Sequence, residues 1–428
     1  MTSRRARLGI TAGLGAAAAG AAALVHRHRT GYAERGYELD CELDVGSPQF
    51  LRTLEALTGA PVSEGNDLRV LFNGDGIFPV LLETIRAAER TLDLLTFVYW
   101  RGEIAVEVAE ALSERARAGV RCNVLLDAFG AARMDERLLE AMSEAGVHVE
   151  LFRPLKAYTL TKADHRTHRK VIVADGTVGM VGGVGIASEW TGNAQDPDHW
   201  RDTHVRVVGP VVRALQGAFL ENWLEATGEV LAGDDYLPDL EPITDGAPMQ
   251  VVVSGPGVNH TNTEAMYFLA IASARHTIQM TTAYFAPRPM FVEALQAAAA
   301  RGVSVEIIVP GPYIDKQLVR LAGRAVYADL LEAGIAIHEY QPTMLHAKTL
   351  VIDGRWCSIG SANFDNRSFA LNDEATLCVQ SERVAEQLAA AFAQDRDLSE
   401  RIEQQRWTWR SPAERVAEAV ATLTRREL

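Results

Sequence analysis

The chain has 428 residues, long enough for two cored domains, and its 48% hydrophobic and 23% charged residues exclude extensive disorder. Its net charge is −14, while residues 1–29 hold five arginines and no acid, so the remainder carries about −19. Such a body has no general attraction for polyanions, and no nucleic-acid partner is expected.

The N-terminus runs Ser-Arg-Arg-Ala-Arg, then 18 uncharged residues from Leu8 to Val25, then His-Arg-His-Arg. The length suits a short membrane span, although eight alanines and four glycines make it weakly apolar. Residues 1–29 therefore read as a single anchor placing the protein at the cell membrane. The alternative is an export signal cleaved after an Ala21-x-Ala23 site. A connecting helical segment is expected over 30–66.

Residues 67–240 and 241–400 repeat each other. AAERTLDLLTFVYW (87–100) resembles SARHTIQMTTAYFAP (273–287), and ALSERARAGVRCNVLLD (111–127) resembles ALQAAAARGVSVEIIVP (294–310). LLEAMSEAGVHVELFRP (138–154) resembles YADLLEAGIAIHEYQP (327–342), and HRKVIVADGTVGMVGG (168–183) resembles HAKTLVIDGRWCSIGS (346–361). Four blocks in one order, offset by about 180 residues, indicate a duplication rather than chance recurrence of helix-strand units. Each half reads helix, strand, helix, strand, helix, strand, then a hairpin. This predicts an α/β protein of two tandem lobes, with mixed, largely parallel sheets flanked by helices and a pseudo-twofold axis between them.

The hairpin blocks share His-x-Lys-x4-Asp: His168, Lys170 and Asp175, then His346, Lys348 and Asp353. Residues two apart on a strand face the same way, so each His and Lys project together. The Asp falls in an Asp-Gly turn, a strong hairpin signal, which makes Asp175 and Asp353 mainly structural members of the motif. Only five lysines stand against 37 arginines, yet two of the five occupy matched positions. Each second strand ends in small residues, Gly182-Gly183 and Gly360-Ser361, where backbone amides are expected to approach a phosphate.

These paired motifs resemble those of the phospholipase D superfamily over residues 70–400. The runs GSANFDNRS (360–368), LNDE (371–374), NGDGIFP (73–79) and WRDTHVRVVGP (200–210) are similar to bacterial cardiolipin synthases. The resemblance implies a phosphohistidine mechanism without a metal or other cofactor: His168 is assigned as nucleophile and His346 as acid, with the lysines neutralising the phosphodiester. It also implies a carboxylate behind each histidine. Glu374 lies where related enzymes place such a group, and aligning DTHVRV (202–207) with EATLCV (374–379) makes Asp202 its counterpart. Gly183, Ser361 and Asn363 are expected to bind phosphate. Gly185 departs from the family's Gly-Gly-x-Asn pattern, with His165 and Arg166 as possible compensation.

The implied function is phosphatidyl transfer making cardiolipin or a related phospholipid, with phosphatidylglycerol as a substrate and a membrane as partner. Phospholipid hydrolysis is the alternative, since one intermediate serves both; a nuclease and a catalytically silent lipid-binding protein are further readings. Tyr158, Leu160 and Thr161 are candidates for a lipid entrance. Residues 401–428 predict a C-terminal helix, with Trp407 and Trp409 before a Ser411–Glu414 capping box. The four cysteines lack zinc spacing and read as buried, reduced thiols.

Overall fold

The computed structural model describes residues 36–154, 164–257, 261–408, 410–411, 417–418 and 420–422. The apolar segment of residues 1–29 lies outside them, as do Tyr158, Leu160, Thr161, Trp409 and Pro412–Glu414. The chain forms two units, Met1–Glu38 and Leu39–Leu428, and both repeats fall in the second. No helix among the described residues is long and apolar enough to cross a membrane.

The first repeat contributes strands β1 (Ser63–Phe72), β2 (Thr91–Thr96), β3 (Arg121–Asp127), β4 (His148–Phe152), β5 (Val171–Ala174), β6 (Val178–Gly182) and β7 (Thr203–Val208). The second contributes β8 (Ala247–Ser254), β9 (Thr277–Thr281), β10 (Phe285–Ala286), β11 (Ser304–Pro310), β12 (Ala336–Tyr340), β13 (Thr349–Ile352), β14 (Trp356–Gly360), β15 (Phe364–Asp365), β16 (Glu374–Gln380) and β17 (Ser399–Arg401). Fifteen of these form one sheet, ordered β17-β12-β11-β9-β13-β14-β16-β8-β1-β7-β6-β5-β2-β3-β4. Apart from β17 the order reads the same from either end under the repeat, with the pseudo-twofold between β8 and β1. Those two strands pair antiparallel and weld the lobes into a continuous sheet.

The expectation of largely parallel pairing is corrected. Within the large sheet, pairs are parallel in β2-β3-β4 and β9-β11-β12, while from β2 through β7, β1 and β8 to β9 every pair is antiparallel; the short β10 and β15 form a separate parallel pair. The cause is local. Helical crossovers return a strand parallel, whereas the Asp-Gly hairpins turn it back on itself. Both turn aspartates adopt the left-handed backbone, with φ 53° at each.

Three cores follow. Helices 73–87 and 103–117 bury Ile77, Ile85, Val108 and Leu112 on the first lobe's outer face. The second lobe's counterpart recruits helix 48–58 from ahead of β1, whose Phe50, Leu51 and Leu54 pack with Met266 and Ile271. Ser47 caps that helix through Phe50 N–H, Pro48 opens it and Gly59 (φ 68°) closes it. Between the lobes, Val171, Val173, Val205 and Val207 meet Val351, Ile359, Leu377 and Val379. Alternate residues of the central strands thus glue the lobes together, and the intervening ones face outward. Trp407 is buried against Tyr327 with its rings 5.0 Å apart, tying the C-terminal segment to the second lobe. Cys122, Cys357 and Cys378 are buried free thiols, whereas Cys41 is exposed, against expectation.

Candidate active site

The site is built where the two lobes exchange short backbone bridges. Thr167 pairs with Asp373, and Arg201 pairs with Leu345. His168 N–H donates to Asp373 O at 2.8 Å and His346 N–H to Arg201 O at 2.7 Å. The residue after each bridge partner is a histidine on one side and a carboxylate on the other. Each histidine therefore meets the carboxylate of the opposite lobe.

His168 Nδ1 lies 3.0 Å from both Oε1 and Oε2 of Glu374, and His346 Nδ1 lies 2.8 Å from Asp202 Oδ2. An ionised carboxylate only accepts, so Nδ1 carries the proton in both rings and Nε2 is left with its lone pair. All four side chains are buried. Burial would raise Glu374, but His168 and then Lys170 and Ser361 outweigh it and hold the carboxyl at about 2. Asp202 is likewise held below its ordinary value, His346 and Lys348 overcoming burial.

Both imidazoles are pushed down to about 4. Burial is the main cause for each; at His168 the pull of Glu374 comes next, whereas at His346 the repulsion of Lys348 outranks Asp202. With values of about 4, both rings are neutral at pH 7. Burial also lowers the lysines, Lys170 to about 7 and Lys348 to about 8. Each lysine feels both Glu374 and Asp202, so charges from the two motifs act on one region. Lys170 Nζ donates to His168 O at 2.7 Å, and Lys348 Nζ donates to His346 O and sits 3.0 Å from His346 Nδ1.

The other expected residues divide. Asp175 and Asp353 do not join the histidines: they close the far ends of the hairpins, seven residues on and roughly 23 Å along the extended chain. Asp175 accepts N–H groups of Glu89, Arg90 and Thr91, and Asp353 those of Arg275, His276 and Thr277. They fasten each hairpin to the start of β2 or β9, the structural part of their expected role.

Gly183 is not available to a phosphate, because its N–H donates to Thr203 O at 3.1 Å. Its lack of a side chain matters instead, since a Cβ there would lie 2.2 Å from Asp202 Oδ1. Ser361 donates its hydroxyl to Glu374 and its N–H to Ala375 O, so it orients the carboxylate. Asn363 is buried with Oδ1 unpartnered. Gly185 is enforced by packing, a Cβ falling 2.8 Å from Val98 Cβ and 3.2 Å from the Trp190 ring. The Arg166 guanidinium contacts Arg153 O and Asp127.

Sequence reasoning missed the aromatic surround. Trp190 packs edge-on to His346 at 5.2 Å and donates its indole N–H to Asp202 Oδ2 at 2.8 Å. Trp200 tilts over the same imidazole at 5.6 Å, while Phe97 stands edge-on to His168 at 5.2 Å. Gly74 of the NGDGIFP run lets the helix 73–87 abut Trp190, since a Cβ would lie 2.2 Å from Trp190 O. Ser368 and Asn372 add donors to Glu374, at 2.8 and 3.5 Å. Arg169, between the motif His and Lys, reaches Glu374 O, Ala218 O and Ser254 O and clamps both lobes. No metal-ligand cluster occurs among the described residues.

The family described as "Cardiolipin synthase, PLD-like domain" matches residues 81–196 and 267–396. Cardiolipin synthase of Geobacillus sp. (strain WCH70) is 33% identical over 386 residues, 89% of this chain and 77% of that protein. Cardiolipin synthase of Geobacillus kaustophilus (strain HTA426) is 35% identical over 376 residues, 87% and 75% of the two chains. Among solved structures, phosphatidylserine synthase of Haemophilus influenzae Rd KW20 shares the fold, with a TM-score of 0.66 at 13% identity over 89% of this chain and all of that one.

Proposed function

The chain belongs to the phospholipase D-like family of cardiolipin synthases and is a phospholipid phosphatidyltransferase, and from that premise we propose that it makes cardiolipin, or a related phospholipid, from phosphatidylglycerol through a phosphohistidine. The observation that carries this reading is the exchange of carboxylates: Glu374 behind His168 and Asp202 behind His346.

With Nδ1 committed to a carboxylate, Nε2 of His168 is the nucleophile. It attacks phosphorus, the P–O bond to the departing alcohol breaks, and His346 Nε2–H protonates the alkoxide. His346 then takes the hydroxyl proton of the acceptor lipid, whose oxygen displaces His168 and restores the ring. Lys170 and Lys348 neutralise the phosphodiester oxygens. Both rings start neutral, so the acid acquires its proton with the substrate: the incoming phosphodiester anion favours the imidazolium and raises the pKa of the ring beside it. His168 suits the covalent role because a phosphorylated imidazole carries positive charge and Glu374 meets it with two oxygens. Transfer over hydrolysis is supported by Trp190 and Trp200, whose rings exclude water around the imidazole that activates the acceptor.

The acyl chains of the substrate stay in a bilayer, so the site mouth meets a membrane surface. Phe129 is 64% exposed two residues beyond Asp127, whose Oδ2 holds Thr167 N–H next to His168. Across the repeat, Tyr313 and Leu318, each 45% exposed, flank Asp315, which acts on Lys348. These apolar side chains on both sides of the site are the expected contact with lipid.

Purified protein incubated with phosphatidylglycerol vesicles, followed by mass analysis, is expected to yield cardiolipin and glycerol. Phosphatidic acid as the sole product would overturn transfer in favour of hydrolysis. Acid-labile, base-stable phosphatidyl label on His168 tests the intermediate.

A further inference from the structure

A third histidine lies buried beside the pair. His204, on β7, is 3% exposed, and neither of its ring nitrogens has a hydrogen-bond partner. Its place in the sheet gives those nitrogens a use. Val171 on β5 lies opposite Val181 on β6, and Gly182 lies opposite His204 on β7. One residue beyond the Val171 pair, Lys170 falls opposite Gly182, so Lys170, Gly182 and His204 form a row across three strands. Strands stand about 4.8 Å apart, which leaves a gap the width of one side chain above the glycine. His204 fills it: a Cβ on Gly182 would lie 2.5 Å from His204 Nδ1. The ring therefore leans over the middle strand toward Lys170. Asp202, two residues earlier and just ahead of β7, shares its face.

We propose that His204 is a positioning residue for the transfer reaction: when Lys170 turns to the substrate, the unpartnered His204 Nδ1 accepts a hydrogen bond from its ammonium across the Gly182 gap and so holds that charge on the phosphate. Lys170 has N–H groups beyond the one given to His168 O, since an ammonium carries three. The imidazole is neutral and able to accept, burial pushing it down to about 4 against the pull of Asp202 and with the push of Lys170. Around Lys170 itself stand Glu374, Lys348, Asp202 and Asp127, with the Phe97 ring 5.6 Å from Nζ. The second lobe lacks the device. Gly360 N–H donates to Lys348 O and Gly360 pairs with Thr376, giving the row Lys348, Gly360, Thr376. A threonine hydroxyl is too short to cross the strand, and Lys348 sits beside His346 Nδ1 instead.

The inference rests on the proposed part of Lys170 in the reaction, and the test separates the two. The alkaline limb of kcat/KM for cardiolipin formation from phosphatidylglycerol vesicles is measured for His204→Phe, His204→Gln and Lys170→Met. His204→Phe keeps a ring but no acceptor; kcat is expected to fall about tenfold, the loss of one charge-assisted hydrogen bond, and the alkaline limb to move down by about one pH unit. His204→Gln, which retains an acceptor, is expected to restore most of both. An unmoved alkaline limb in His204→Phe, or a His204→Gln variant as impaired as His204→Phe, would overturn the proposal and leave the parent reading intact. Lys170→Met at wild-type rate would overturn the parent reading and this one with it.

Discussion

Around Glu374 the second lobe gathers small polar donors, the hydroxyls of Ser361 and Ser368 and the amide of Asn372. Around Asp202 the first lobe gathers the Trp190 indole and the Thr203 N–H, under a roof of Trp200. The backbone frames are equivalent, yet one carboxylate sits in a hydroxyl-rich nest and the other in an aromatic one. Gly185 against Asn363, Arg169 against Ala347 and His204 against Thr376 extend the contrast. Duplication fixed where the groups stand, while the surrounding side chains made the two histidines unequal. An imidazole backed by a fully hydrogen-bonded anion is suited to carry a covalent phosphoryl group; one walled by indoles is suited to move a proton without water.

The sharpest way to break that comparison is to remove each ring. His168→Ala and His346→Ala are each expected to lower kcat by on the order of 10³ or more, with phosphatidyl label trapped on protein in His346→Ala only. Label on His346 in the His168 variant would reverse the assigned roles. Next come the carboxylates. Glu374→Gln and Asp202→Asn are expected to cost about 10²-fold in kcat, because a neutral amide cannot stabilise the imidazolium.

A pH profile sharpens the picture further. The active lysines are charged, and their folded values of about 7 and 8 lie below the ordinary range. The charge is present at lower pH and lost as pH rises, so kcat/KM is expected to decline through pH 7–8, about tenfold for each further unit in which one lysine titrates. The acidic limb lies near pH 4, where His168 gains its proton. Gly185→Asn, which would make the first lobe imitate the second, is expected to lower stability by about 1–3 kcal/mol through overpacking against Val98 and Trp190, read as a fall in Tm. The smallest effect belongs to Phe129→Asp, expected to weaken sedimentation with anionic vesicles about tenfold or less while leaving Tm unchanged.

Much of this arrangement was legible in the chain itself. The duplication was legible as four blocks repeated in one order, and both hairpins as Asp-Gly turns between apolar runs, signals that act over a few residues. Glu374 was reachable through the family resemblance, and Asp202 by aligning the repeat onto it. The aromatic surround was not, although Trp200 stands two residues before Asp202, because nothing local distinguishes an indole beside a catalytic group from one in a core. The extent of parallel pairing was overestimated for a related reason: helical crossovers dominate the pattern by length, yet the hairpin strands form the sheet's centre. Gly183 and Ser361 looked like phosphate binders by size, and only their neighbours revealed that they make room for one carboxylate and orient the other.

The sequence by itself determined which groups exist: two His-Lys pairs, two carboxylates and the local turns that present them. Which histidine meets which carboxylate was decided by tertiary structure, since the partners stand 206 and 144 residues apart and pair across lobes. The valine faces of the central strands bury against each other, and that docking brings Thr167 beside Asp373 and Arg201 beside Leu345. Hydrophobic burial is non-directional, so no local pattern encodes this exchange; it appears only when both lobes are folded and sealed together.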